Sequence, residues 1–279
     1  MWIIFVILFI IFNVINTQLY KVVTRNEVSD GGSLICILGI SILTVLCFIP
    51  FFEFKLPINI YSIILLIVSG LLFTIADRIG IYTRRRLQVS TFSILNQFSS
   101  VVMIVIGILI FKEGFGFTKL FASILIILSN VLVVYEKNKK PRRAVILLLL
   151  ARTAYAVAIA IDIQNIKNFN IPIYIALTYL IPILCISTFD KIKDKDLKNE
   201  LTKQNIFPII FTGITTGLSI MSMYLAYQTQ KATIVAPILS SVLIINVIYG
   251  IIFLKERKKI RRKIIASIGA TIGLIILNI

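Results

Sequence analysis

Lys231–Glu256, K-A-T-I-V-A-P-I-L-S-S-V-L-I-I-N-V-I-Y-G-I-I-F-L-K-E, decides the fold. The run stays apolar for the length that crosses a bilayer, where about 20 helical residues span the hydrocarbon core. It closes with Gly250-Ile251-Ile252-Phe253-Leu254-Lys255-Glu256, and the chain has used that ending before, as Gly107-Ile108-Leu109-Ile110-Phe111-Lys112-Glu113. Setting Glu256 on Glu113 places Thr233 on Ser90 and Lys231 on Gln88. A repeat spaced by half the chain implies a duplicated unit. Two further echoes agree with it. Asn16-Thr17-Gln18-Leu19-Tyr20-Lys21 resembles Asp162-Ile163-Gln164-Asn165-Ile166-Lys167, and Ala122-Ser123-Ile124 returns as Ala266-Ser267-Ile268.

With 58% hydrophobic residues in 279 and a mean hydropathy of +0.99, a water-soluble domain could not cover its own apolar surface. The solvent must be lipid. The pattern is helical and lacks the ten-residue alternation of an outer-membrane barrel. Met1-Trp2-Ile3 runs straight into apolar sequence, without the basic segment or small-residue cleavage site of a removable signal. Cys36, Cys47 and Cys185 lie in apolar runs without CxxC or metal spacing and read as small buried hydrophobes. There is no histidine, the usual proton shuttle and metal ligand. No cofactor and no metal are expected. The net charge of +17 comes from short clusters between apolar runs. Retention of those loops on one side of a membrane explains it better than nucleic-acid binding.

Spans are expected near 2–20, 33–51, 59–81, 88–111, 118–135, 144–162, 172–189, 206–227, 232–254 and 264–278. Asp30-Gly31-Gly32-Ser33, Pro50, Pro57, Pro141, Pro172 and Pro208 punctuate them, and Pro182 and Pro237 should bend their helices. Asp190–Gln204 reads as a short solvated loop. The fold class is an all-α membrane protein: ten transmembrane helices as two five-helix repeats, residues 1–137 and 142–279. Because five is odd, the second repeat crosses the membrane in the opposite sense. Such inverted halves can rock around a site near the midplane.

Ten spans as five plus five, with Lys-Glu closing the fourth and ninth, resembles the drug/metabolite transporter superfamily, in particular its EamA-type members. Ala236-Pro237-Ile238-Leu239-Ser240-Ser241 followed by Leu254-Lys255-Glu256 is similar to that family's ninth-span pattern. Two departures stand out. Ile94 replaces, in the first half, the proline that the second half has at 237. The further proline common in these spans is absent, with Leu243 and Ser100 standing near its place.

Connections after odd-numbered spans hold 22 Lys and Arg, and those after even-numbered spans hold five. By the positive-inside rule both termini face outward, whereas the resemblance implies cytoplasmic termini. The charge count is preferred here, for a multi-pass protein of the inner or plasma membrane.

Arg152, about eight residues into the sixth span, is the sharpest site candidate, because an intramembrane charge is costly unless paired or hydrated. It either lines a cavity that receives an anionic or zwitterionic small molecule, or it snorkels or forms a structural ion pair. Tyr155 shares its face. Asp77, with Arg78 at the end of the third span, can pair with Arg152 or sit at the interface beside Arg84–Arg86. In the fourth span Ser90, Ser93, Gln97 and Ser100 fall on one helix face with Asn96 beside them. That face either lines a cavity or lets helices approach closely. Thr233 and Ser240 match Ser90 and Gln97 in the ninth span, and Asn246 adds an amide. Asn13, Asn16 and Gln18 are repeat-related to Asp162 and Gln164. The small multidrug relatives use a first-span carboxylate to exchange protons for cations; this chain has none there, so the resemblance does not extend to polyaromatic-cation export. Asp162 either takes a coupling role or is solvated near a helix end. Glu113 and Glu256 read as structural. Tyr224 and Tyr249 either border a substrate or pack.

The function expected is a secondary transporter, exporter or permease, of a small organic metabolite, without nucleotide hydrolysis, since no Walker motif is present. The alternative is a lipid-translocating or scaffolding subunit of the same fold. A membrane enzyme is disfavoured by the absence of histidine and the scarcity of carboxylates outside the loops. Membrane lipid and a small molecule are the expected partners, and nucleic acid is not. Oligomeric state is left open.

Overall fold

In lipid a single segment satisfies its own backbone only as a helix, and among the described residues every regular element is helical. The computed structural model describes residues 2–26, 31–55, 59–109, 117–134, 143–201, 205–229, 239, 242–255 and 260–276. The helices are α1 Trp2–Asn26, α2 Gly32–Leu46, α3 Ile60–Arg86, α4 Val89–Asn96, α5 Phe98–Leu109, α6 Phe117–Val134, α7 Arg143–Asn165, α8 Ile171–Phe189, α9 Asp194–Glu200, α10 Ile206–Thr229, α11 Val242–Ile252 and α12 Ile260–Ile276. Among the described residues five segments are long and apolar enough to cross a membrane: Trp2–Thr24, Ile60–Arg86, Arg143–Asn168, Ile171–Phe189 and Ile206–Thr229. Gly32–Leu46 and Val242–Ile252 are apolar but shorter.

The side chains are sorted for lipid. Ile4, Ile7 and Ile11 of α1, Ile64, Ile67 and Leu71 of α3, and Ile265, Ile268 and Ile272 of α12 are exposed, while Asn16, Ser41, Ser69, Asp162 and Asn246 are buried. One large apolar core joins α1, α2, α3, α7, α8 and α10. Among the described residues the α4, α5, α6, α11 and α12 corner shares small clusters, such as Ile94 with Leu243, Val247, Ala266 and Ala270, and meets the body where Phe92 and Leu95 pack on Ala144, Val145 and Leu148 of α7. Backbone closeness compensates there, since a Cβ on Gly273 of α12 would come within 2.9 Å of the Ala122 carbonyl of α6.

The packing partners follow an exchange rule. α1 packs on α10 as α7 packs on α3, and α2 packs on α10 as α8 packs on α3; α2 meets α8, α4 meets α11 and α6 meets α12. Advancing each expected span by five converts one member of each set into another.

Cross-links fix the two ends of the bundle. At one end Lys21 Nζ donates to the Arg84 and Leu87 carbonyls at 2.7 and 2.9 Å, Arg85 Nε donates to Thr24 O, and Lys263 Nζ donates to Gln88 Oε1. A Cβ on Gly31 would touch Asp190 and Ile192. This is the basic end. At the opposite end Asn170 donates its backbone N–H to Lys55 O and its amide to Glu53 O, and Asn165 Nδ2 donates to Ser62 O.

Several expectations are corrected. The fourth span is interrupted at Gln97. There Gln97 N bonds to Ile94 O and Ser100 N to Gln97 O, three-residue closures that tighten the turn, while Ser99 Oγ donates to Asn96 O. Polar side chains permit this break without proline. The third span extends to Arg86, with Asn59 capping its start, so Asp77 and Arg78 lie inside it. Arg84–Arg86 occupy its last turn, where cations favour the helix dipole. The second span ends early, at Leu46, and the 3₁₀ turn Ile49–Phe51 carries Pro50. The loop expected at 190–204 contains α9, whose Glu200 is buried. Pro57, Glu113, Pro141, Lys231, Thr233, Pro237, Ser240 and Glu256 lie outside the described residues.

Candidate functional site

An apolar helix that carries an amide or a charge must turn that face inward, and the inward faces here line a cavity of about 380 Å³. α1 contributes Asn16, α3 contributes Asp77, and α4 contributes Ser93 and Asn96. Gln97 and Ser100 reach it from the break and from α5, Arg152 and Tyr155 from α7, and Asn246 from α11. The break at Gln97 keeps polar groups on both sides of the turn within reach of the cavity. Ser90 of the same stripe is fully buried outside the lining.

Arg152 is 9% exposed, its guanidinium lies 4.9 Å from the Tyr155 ring centroid, and its Nε is buried without a hydrogen-bond partner. Asp77 lines the same cavity, yet no ion pair within 4 Å joins the two. Neighbours on a helix diverge by about 100°, so Asp77 faces inward while Arg78 Nε pairs with Asp190 Oδ2 at 2.7 Å. Neither pairing expected for Asp77 is present.

Two polar clusters flank the cavity. Asn16 Nδ2 donates to Thr212 O, Thr215 Oγ1 and Thr216 Oγ1 of α10 at 3.1, 3.2 and 2.7 Å. Gln18 Nε2 donates to Asn246 Oδ1 at 3.2 Å. In the other cluster Asp162 is 0% exposed; its Oδ1 accepts from Ser69 Oγ at 2.5 Å and Tyr174 Oη at 2.6 Å, and its Oδ2 accepts from Tyr224 Oη. The expectation that Asp162 is solvated is corrected, because α7 continues to Asn165 and places the carboxylate among α3, α8 and α10. Tyr224 is corrected with it, since its hydroxyl serves Asp162 and does not line the cavity.

Sequence reasoning missed Arg84 as an interior group, along with Tyr20, Tyr179, Thr216, Ser219 and Tyr227 in the lining. The three- and four-residue recurrence Thr212, Thr215, Thr216, Ser219, Ser222 in α10 was the readable signal for that helix. Arg84 lies 4.4 Å from both the Tyr20 and Phe92 ring centroids. Two guanidiniums and one carboxylate are the formal charges of the described lining.

A helical bundle with apolar side chains outward and a charged chamber within defines a polytopic membrane protein. Residues 142–279, the second half of the chain, match the EamA-like transporter family of the drug/metabolite transporters, a family of multi-pass membrane transporters. No curated protein matches the chain.

Proposed function

We propose that the chain is a secondary carrier of a small organic anion or zwitterion, working by alternating access of two inverted five-span halves, 1–137 and 142–279. The observation that carries the reading is the buried Arg152 guanidinium, whose Nε has no partner, set in a cavity whose described charges sum to a positive value. A desolvated guanidinium binds a carboxylate or phosphate strongly and with fixed geometry, and Asp77 across the same cavity suits an ammonium. The exchange of packing partners on advancing five spans supports the inverted halves. The clustering of odd connections at the basic end supports outward termini in a plasma or inner membrane.

Metabolite profiles of cells with and without the protein nominate solutes, and flux into proteoliposomes tests them. Arg152→Ala should lower flux of the nominated solute by at least about tenfold, the loss of one charge-assisted contact of ~1.5–3 kcal/mol. Flux unchanged in that variant removes the arginine from the site. Lipid scrambling without solute flux replaces the carrier with a lipid translocator.

A further inference from the structure

Arg84 stands between two cavities. It lines the large chamber, and it also lines a second, narrow pocket of about 10 Å³ with Thr17, Lys21, Leu87, Val89 and Phe92. Thr17 is the other residue the two share. The narrow pocket lies toward the basic end, because Lys21 closes it by donating to the Arg84 and Leu87 carbonyls, where α3 ends and α4 begins. A volume of about 10 Å³ is at the threshold for a single water. The narrow pocket thus adjoins the chamber at Arg84 and Thr17, and the Arg84 side chain, held in its ring clasp, stands between the two.

The nature of the clasp matters. The Arg84 guanidinium is held between the Tyr20 ring of α1 and the Phe92 ring of α4, each centroid 4.4 Å away, so three helices meet on one cation. Faces of aromatic rings attract a guanidinium, but an oxyanion in a desolvated site attracts it more strongly and with two parallel hydrogen bonds. An anion arriving from the basic end competes with the rings for Arg84. A cation is repelled by Arg84 and by the Lys21 ammonium. The next guanidinium inward is Arg152, in the same chamber.

We infer that Arg84 is a charge-selective gate at the basic end: an anionic group draws its guanidinium out of the Tyr20–Phe92 clasp, opens the narrow pocket into the chamber, and passes on to Arg152. This inference rests on the carrier reading for the hand-over to Arg152 and adds the route of entry and a residue that selects charge. No covalent step is involved; contacts of one guanidinium are exchanged.

The test needs no identified substrate. In full-length protein with the native cysteines replaced, Ser100→Cys places one thiol in the chamber wall. Two membrane-impermeant methanethiosulfonates, the anionic sulfonatoethyl and the cationic trimethylammonium reagent, are applied to proteoliposomes. Lys198→Cys, exposed on α9 at the basic end, identifies in a parallel sample the fraction of vesicles presenting that end. From the basic end the anionic reagent should modify the chamber thiol at least about tenfold faster than the cationic one, after correction for their intrinsic rates on the exposed α9 thiol. Arg84→Gln should abolish that preference. Arg84→Lys should keep it while raising both rates, because a lysine retains the charge but not the stacked plane. Folding of each variant is checked by monodisperse elution. Equal ratios in wild type and Arg84→Gln, labelling that proceeds only from the opposite end, or an Arg84→Lys variant that behaves as glutamine would overturn the gate. Failure of the carrier reading looks different: labelling follows Arg84 as stated, yet the chamber thiol reacts equally from both ends and no solute flux is found.

Discussion

Asn16 and Asp162 occupy echoing stretches of the two halves, and each ties its helix to the packing partner that the exchange rule assigns. Asn16 works as a donor, giving its amide hydrogens to a carbonyl and two hydroxyls of α10. Asp162 works as an acceptor, taking hydroxyl hydrogens from three helices, α3, α8 and α10. One tie is neutral and joins two helices. The other carries a carboxylate and joins four. Positions that correspond under the exchange rule thus carry unequal chemistry, a neutral amide at Asn16 and a carboxylate at Asp162.

The comparison breaks most readily at Asp162. Asp162→Ala strands three interior hydroxyls, and at ~1–3 kcal/mol for each unsatisfied group the loss should reach about 3 kcal/mol or more in thermal unfolding of the detergent-solubilised protein. Asp162→Asn, which keeps one acceptor oxygen, should recover part of that stability. An alanine variant as stable as wild type would show that the three hydroxyls find other partners. The neutral tie should matter less. Hydrogen bonds between helices in membranes average roughly 0.6 kcal/mol, so Asn16→Ala should lower stability by about 1 kcal/mol in the same assay. A loss matching that of Asp162→Ala would erase the asymmetry. The smallest effect belongs to a pair outside both clusters: Arg78 with Asp190, each about one-third exposed. Asp190→Asn should change the unfolding midpoint by the equivalent of less than about 1 kcal/mol. A larger shift would mean that this pair fastens α3 to α8 as strongly as the buried hub does.

Much of the site was legible because lipid punishes exposed polarity. An amide or a charge in an apolar run has few places to go, so Asn16, Asn96, Gln97, Arg152 and Asn246 could be assigned inward from sequence, and all of them line the chamber. What stayed hidden depends on where helices end and on which helices meet. Arg84 looked like part of an interfacial cluster because hydropathy falls before Arg84-Arg85-Arg86, yet α3 continues through all three and turns Arg84 toward Tyr20 and Phe92. The break at Gln97 was invisible because its cause is local side-chain bonding, without the proline that usually announces one. Asp162 looked terminal until three more residues of α7 and the hydroxyls of Tyr174 and Tyr224 were in place. Helix identity follows composition, whereas these partnerships follow tertiary contact.

The uneven division of the apolar core bears on motion. Six helices share one continuous body, while the α4, α5, α6, α11 and α12 corner is joined by small clusters and by backbone-to-backbone contact at Gly273. Among the described residues the buried apolar side chains that cross that seam form one small cluster, Phe92 and Leu95 of α4 on Ala144, Val145 and Leu148 of α7, so a sliding displacement of the corner as a plate would forfeit less dispersion energy than a cut through the six-helix body. Amide exchange should accordingly fall into two tiers, slow throughout the six-helix body and faster by a shared factor across the plate.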